Sequence, residues 1–193
     1  MNADEILRMF CATEHEKREW MRNPILIDEF LYATNGHIAV RVPDAPGVVA
    51  HSFLEITVES RTLLRTMFLV DIPGPGVPIP DLTAPIPCSE CGGTGHQERR
   101  ECPECGGSAP LGCQKCQGDG FIVSPAPTGE ACEYCEGYGE NPFIPVAVAE
   151  SHFDAHYLRL LQKLPNAMLH PDGMNAAACV FDGGMALIMP MAV

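Results

Sequence analysis

Eight of the ten cysteines of this chain fall into four Cys-x-x-Cys pairs: Cys88/Cys91, Cys102/Cys105, Cys113/Cys116 and Cys132/Cys135. The pairs read CSECGGTG, CPECGGSA, CQKCQGDG and CEYCEGYG, a loose repeat of the form C-x-x-C-x-G-x-G. Two thiolates three positions apart on a glycine-permitted turn can grip one metal ion from the same side. Four such turns supply eight sulfurs, the donor set of two tetrahedral zinc ions. Spacing alone leaves the partnership of the pairs open, since consecutive pairing is as feasible as any other. The second repeat carries Ser108 and Ala109 where the glycine spacing would continue.

Two other chemistries of paired cysteines fit less well. Structural disulfides need an oxidising compartment, and the chain shows no signal peptide. A thioredoxin-like redox site needs one pair opening a helix in a βαβ setting. Here four glycine-punctuated pairs follow one another with almost no apolar residues between them. With so little to pack, the free energy of folding this stretch must come from the metal. Four thiolates per zinc also close the coordination shell and leave no position for a catalytic water.

The four repeats resemble the cysteine-rich zinc domain of DnaJ-type chaperones. That resemblance implies that the outer pairs, Cys88, Cys91, Cys132 and Cys135, share zinc one. The inner pairs, Cys102, Cys105, Cys113 and Cys116, would then share zinc two. It covers residues 88–139 and leaves the rest of the chain to be read by itself.

The elements that must carry this module lie on both sides of it. Residues 3 to about 20 have helical spacing at Ile6, Leu7, Phe10 and Cys11, with Asp4 and Glu5 suited to a first turn. Partial alternation on either side of Asn35-Gly36 predicts strands near 25–33 and 37–42 joined by a hairpin. Residues 53–59 read as another strand, followed by a helical stretch from Ser60. Six prolines between Asp71 and Pro87 predict a stiff, extended arm into the module. Beyond the module, ENPFIPVAVAE reads as a strand. Residues 151–165 then read as a helix with Ser151 as N-cap and a buried stripe of Phe153, Tyr157, Leu160, Leu161 and Leu164. Three short strands, AMLH, NAAACVF and MALIMPM, are separated by Pro171-Asp172-Gly173 and Asp182-Gly183-Gly184 turns.

These flanks resemble one domain of the bacterial sliding clamp, the beta subunit of DNA polymerase III. The residues that carry the likeness are HFDAHYLRLLQKL from His152 to Leu164, the closing Ile188-Met189-Pro190-Met191, and Ala33-Thr34-Asn35-Gly36-His37. The resemblance implies an α+β fold, a single clamp-like domain of two similar halves with helices on antiparallel sheet. The halves would be residues 1–70 and 140–193, with the arm 71–87 and the mostly irregular, β-hairpin zinc module 88–139 inserted between them. It also implies that Arg8, Lys17, Arg18, Arg22, Arg159 and Lys163 face DNA.

Composition narrows the functions. The formal net charge is −13, and each four-thiolate zinc adds about −2, so bulk electrostatics do not favour nucleic acid. No apolar run approaches the roughly 18 residues of a membrane span. Neither a phosphate-binding loop, a nucleophile elbow nor a persuasive carboxylate pair is present. His152 and His156 have ligand spacing on a helix but lack the following glutamate of the H-E-x-x-H pattern. His170-Pro171-Asp172 spells the tripeptide with which J domains stimulate an ATPase, yet it follows a helix and opens a glycine turn. Cys11 and Cys179 read as small apolar core residues. The expected protein is a cytoplasmic, non-enzymatic, two-zinc binding protein. Its partner would be a protein docking on Phe121, Ile122, Tyr134 and Tyr138, with DNA or a second copy as further partners. The rival readings are a chaperone-type module for unfolded chains and a replication accessory that self-associates on DNA. An enzyme with an exchangeable zinc would need a non-cysteine ligand such as His96.

Overall fold

The computed structural model describes residues 1–14, 16–48, 50, 56–72, 74–82 and 84–192. It is a mixed α/β structure dominated by sheet, compatible with the α+β class. The chain divides into two compact units, Met1–Thr83 with Phe143–Val193, and Ala84–Pro142.

The elements run in order as helix α1 (Ala3–Phe10), a 3-10 turn (Glu19–Arg22), strands β1 (Ile25–Ile27), β2 (Phe30–Thr34) and β3 (Ile38–Pro43), helix α2 (Val58–Met67) and strand β4 (Val77–Pro78). The second unit supplies β5 (His96–Glu101), β6 (Phe121–Ala126) and β7 (Glu130–Ala131). The chain then returns through β8 (Pro145–Val148), β9 (Ser151–Asp154), helix α3 (Ala155–Gln162), β10 (Met168–His170), β11 (Ala177–Phe181) and β12 (Gly184–Ile188).

The first unit is built on a seven-stranded antiparallel sheet of order β1-β2-β3-β12-β11-β10-β4. Its strands read as nearly continuous apolar runs because alternate residues enter two different cores. On one face Leu31, Ala33, Val40, Cys179, Ala186 and Ile188 pack with Ile6, Leu7 and Phe10 of α1 and Leu158 and Leu161 of α3. On the other, Tyr32, Ala39, Ala178, Met185 and Leu187 pack with Leu64 of α2 and with Phe68. Pro78, which has no N–H to give, sits in the edge strand, where the missing donor costs least.

Several boundaries differ from the sequence expectation. Helix α1 stops at Phe10 rather than near residue 20, because no apolar period continues past Cys11. A capping box between Asn2 and Glu5 starts it. Ala12 then donates to the Met21 carbonyl, and Arg22 closes on the Glu16 carbonyl. The expected strand 25–33 is two strands, turned at Asp28, whose φ of 55° is left-handed. Of the expected strand 53–59, residues 53–55 lie outside the described residues, while Val58 and Glu59 open α2 behind the N-cap Thr57. Part of the proline-rich stretch, Val77–Pro78, is a strand of the sheet.

The expected helix 151–165 begins late. Ser151–Asp154 pair with β8 as a hairpin turned at Ala149, whose φ is 54°. Ser151 is therefore not the N-cap: its hydroxyl donates to the Gly173 carbonyl, and Asp154 accepts from the His156 N–H to cap α3. Phe153 is buried from a strand, Leu158 joins Leu160, Leu161 and Leu164 in the buried stripe, and Tyr157 is only half-buried. His152 stands in β9 opposite Ala147, so it shares no helix face with His156.

Candidate metal centre

The second unit has a short antiparallel ladder, order β6-β5-β7, and few apolar side chains to bury. Its buried cluster consists of Cys88, Cys91, Cys132 and Cys135 themselves. The four Cys-x-x-Cys turns fold alike. The residue after each second cysteine is left-handed: Gly92, Gly106, Gln117 and Glu136 have φ of 61°, 56°, 52° and 53°. The next is always glycine, at φ of 77° to 97° for Gly93, Gly107, Gly118 and Gly137. Those values exceed the left-handed range open to residues with a Cβ, which is why the repeat spells C-x-x-C-x-G.

The turn backbone serves the sulfurs. Gly95 donates its N–H to Cys91 Sγ at 3.2 Å, Gly120 to Cys116 at 3.3 Å and Gly139 to Cys135 at 3.3 Å. Burial acts to raise the thiols of Cys91 and Cys116. Backbone donors, Gly95 and Gly93 for Cys91 and Gly120 and Gly118 for Cys116, together with hydrogen bonds from the neighbouring cysteine thiols, outweigh it and lower each to about 7. Burial pushes the Cys135 thiol up to about 12. Within each cysteine group at least one sulfur is thus poised to ionise near neutral pH, as a metal ligand must.

The ladder brings the turns together in two groups. Pairing of β5 with β6 sets the second turn beside the third at one end, and pairing of β5 with β7 sets the first beside the fourth at the other. Cys88, Cys91, Cys132 and Cys135 form one group, and Cys102, Cys105, Cys113 and Cys116 the other, each with all four sulfurs within 4.8 Å of one another. Cys88 and Cys132 are 3.8 Å apart, and Cys91–Cys135, Cys102–Cys113 and Cys105–Cys116 are each 3.7 Å apart. A regular tetrahedron with Zn–S bonds of about 2.3 Å has edges of about 3.8 Å. These separations match that edge and are far from the roughly 2 Å of a disulfide. All ten cysteines are free of disulfides. Each group could therefore hold one metal ion, and its all-sulfur donor set suits zinc. Neither group includes His96, which lies in β5. Six ladder residues rise about 20 Å, so the two centres are well separated.

The side chains expected to meet a partner are spread over this unit. Phe121 is exposed with the Arg99 guanidinium 4.5 Å from its ring centre, Tyr134 is exposed, and Ile122 and Tyr138 are half-buried. Val123, two residues along β6 from Phe121, and Leu111 beside the inner centre are exposed as well. Both escaped the sequence reading; Val123 could have been found from the period-2 spacing with Phe121.

In the first unit, Arg8 pairs with Asp4, and Arg18 with Glu16, while Arg22 bonds the Glu16 carbonyl. Lys17 is exposed; Arg159 lies on α3, and Lys163 is its exposed C-cap. Cys179 is buried in the core and Cys11 packs half-buried against it, and burial pushes both thiols up to about 12. A shallow cavity of about 360 Å³ lies beside β3 and β12, lined by Phe30, Phe68, Ile72 and Met185, with Arg41 as its one charged group. Among the described residues no helix is long and apolar enough to cross a membrane.

No protein family, curated protein or solved structure matches this chain.

Proposed function

We propose that this chain is a non-enzymatic zinc protein whose 88–139 module is a partner-binding knob held in shape by two zinc ions. The observation that carries this reading is that the unit's buried cluster is made of cysteine ligands. Its larger apolar side chains, Phe121, Val123, Tyr134 and Leu111, are left on the surface. A structure that spends its buried positions on metal ligands and exposes its aromatics is built to display a surface. Closed four-sulfur shells leave the ions a structural role. Between positions 88 and 139 eight acids face three bases, which favours a protein partner over a phosphate backbone. In this reading the protein works in a reducing cytoplasm, where the thiolates persist.

The DnaJ likeness supports the ligand grouping and suggests an unfolded chain as an alternative client. The clamp likeness gains support from strand order. A helix followed by a three-stranded meander occurs twice, as α1-β1-β2-β3 and α3-β10-β11-β12, and the meanders join through β3 and β12. This favours a scaffold of two similar halves, residues 1–70 and 140–193, with the module inserted. Replication use and self-association on DNA are weaker, since Arg8, Arg18 and Arg22 are already engaged by acids or a carbonyl.

The test is a photo-crosslinking amino acid placed at Phe121 or Tyr134 in living cells. A defined protein adduct, lost when Cys88→Ser and Cys91→Ser are combined, supports the knob. Adducts that survive the double substitution, or adducts only to nucleic acid, overturn it.

A further inference from the structure

The two cysteine groups are not equivalent. In the outer group all four sulfur-bearing residues are buried, with Cys88, Cys91, Cys132 and Cys135 between 0% and 2% exposed. In the inner group Cys102 and Cys116 are buried, but Cys105 and Cys113 are only half-buried. These two line an open hollow of about 460 Å³ with Glu104, Pro110, Leu111 and Gln114. Leu111, on the rim, is fully exposed and does not cover the sulfurs.

The sequence cause is Ala109. In the outer group the last glycines of the two turns approach the opposite turn very closely. A Cβ on Gly95 would come 2.4 Å from the Gly137 carbonyl oxygen, and one on Gly139 would come 2.5 Å from that of Gly93. Only glycine permits that approach at both positions. In the inner group Gly120 still approaches Gly107, with a Cβ there falling 2.8 Å from its carbonyl oxygen. The matching residue of the second repeat is Ala109 instead of glycine. Its φ is 48°, where Gly95, Gly120 and Gly139 have 76°, 78° and 71°. An alanine cannot enter the outer group's geometry, so the turn carrying Cys105 keeps its sulfurs 3.7 Å from the facing turn but takes a different backbone at Ala109, next to Pro110 on the wall of the hollow.

We propose that the inner group, Cys102, Cys105, Cys113 and Cys116, is a labile metal site that surrenders its ion to thiol-reactive and chelating agents while the outer group keeps its own. This rests on both groups holding zinc. Attack begins at Cys105 or Cys113. With an alkylating agent such as iodoacetamide, the sulfur forms a bond to carbon as iodide leaves. The resulting neutral thioether no longer holds the ion, which passes to a chelator. The outer group, at the far end of the β5–β6 ladder, still closes the base of the module, so release loosens the tip around residues 102–120. The module is then a modifiable surface whose tip is ordered only while its thiolates are intact.

The experiment uses the full chain purified with zinc. Iodoacetamide in excess over the thiols and a coloured zinc chelator are added together, and alkylated peptides are mapped over time. The proposal expects two phases of equal amplitude, the faster one accompanied by modification of Cys105 and Cys113. Ala109→Gly should slow the fast phase severalfold, and Gly120→Ala should speed it. A single phase, or first modification at Cys88, Cys91, Cys132 or Cys135, overturns the lability while leaving two bound metals standing. A starting protein with no zinc overturns the two-metal reading itself.

Discussion

Gly95 and Gly92 lie in the same turn and both have left-handed backbones, at φ of 76° and 61°, yet the structure predicts opposite outcomes for replacing them with alanine. At Gly92 a Cβ meets nothing within 4 Å, and the matching positions in the third and fourth repeats hold Gln117 and Glu136. Gly92→Ala should therefore cost only the left-handed preference, about 1 kcal/mol. At Gly95 the same cost applies, and the new Cβ also falls 2.4 Å from the Gly137 carbonyl oxygen. Relieving it moves the first turn away from the fourth, which spreads the four edges of the sulfur tetrahedron that join the two turns. Overpacking of that kind costs about 1–3 kcal/mol, so Gly95→Ala should lose roughly 2–4 kcal/mol. At 1.4 kcal/mol per factor of ten, zinc affinity at the outer group should fall roughly 30- to 1,000-fold. Competition against a chelator of known affinity reads this directly, with Gly92→Ala as the matched control. Equal zinc retention by the two variants would refute the close approach of the turns, and with it the grouping of the first pair with the fourth.

Other expectations follow from the same geometry. Leu161→Ala, at a fully buried position of the first unit, should lower scaffold stability by about 2–5 kcal/mol in denaturant titration and leave the zinc count unchanged. Burial keeps Cys11 and Cys179 as neutral thiols up to about 12, so alkylation of the native protein at pH 8 should spare both. The stability they contribute is complete below the ordinary thiol range and is lost as pH rises from there towards about 12. Hydrogen bonds from the Arg18 side chain hold the Glu16 carboxyl down at about 2. Its contribution is therefore present above the ordinary carboxylate range and is lost progressively as pH falls from there to about 2, and a carboxyl NMR titration would show the lowered midpoint. Acidification should protonate the cysteine ligands and release zinc with loss of the second unit's structure, seen as a pH-dependent zinc signal in the chelator assay.

Much of the candidate centre was legible because its chemistry is local. Four Cys-x-x-Cys pairs with glycine at fixed offsets state both the ligands and the backbone conformation each turn needs. The grouping was not legible from spacing, since any two turns can complete a tetrahedron. It depends on β5 pairing with β6 and with β7, contacts between residues twenty to thirty-five positions apart. The hairpin at Asn35-Gly36 was readable because Asn35 Oδ1 accepts from the N–H groups of His37 and Ile38 within the turn itself. The turn at Asp28 was hidden inside an apolar run, as both of its strands are buried. Ser151 looked like a cap because serine suits caps; its hydroxyl is taken instead by Gly173, twenty-two residues away. The lateness of α3 was set by a hairpin that local propensity could not reveal.

In the proposed reading this chain folds its second unit around two metal ions, each held by four sulfurs. Native mass spectrometry of the purified protein tests it most directly, because the same spectrum reports bound metal and subunit number. The expected mass carries two zinc ions per chain, with the eight ligand cysteines reduced. A mass with no zinc, or one lowered by paired cysteine oxidation, would contradict it.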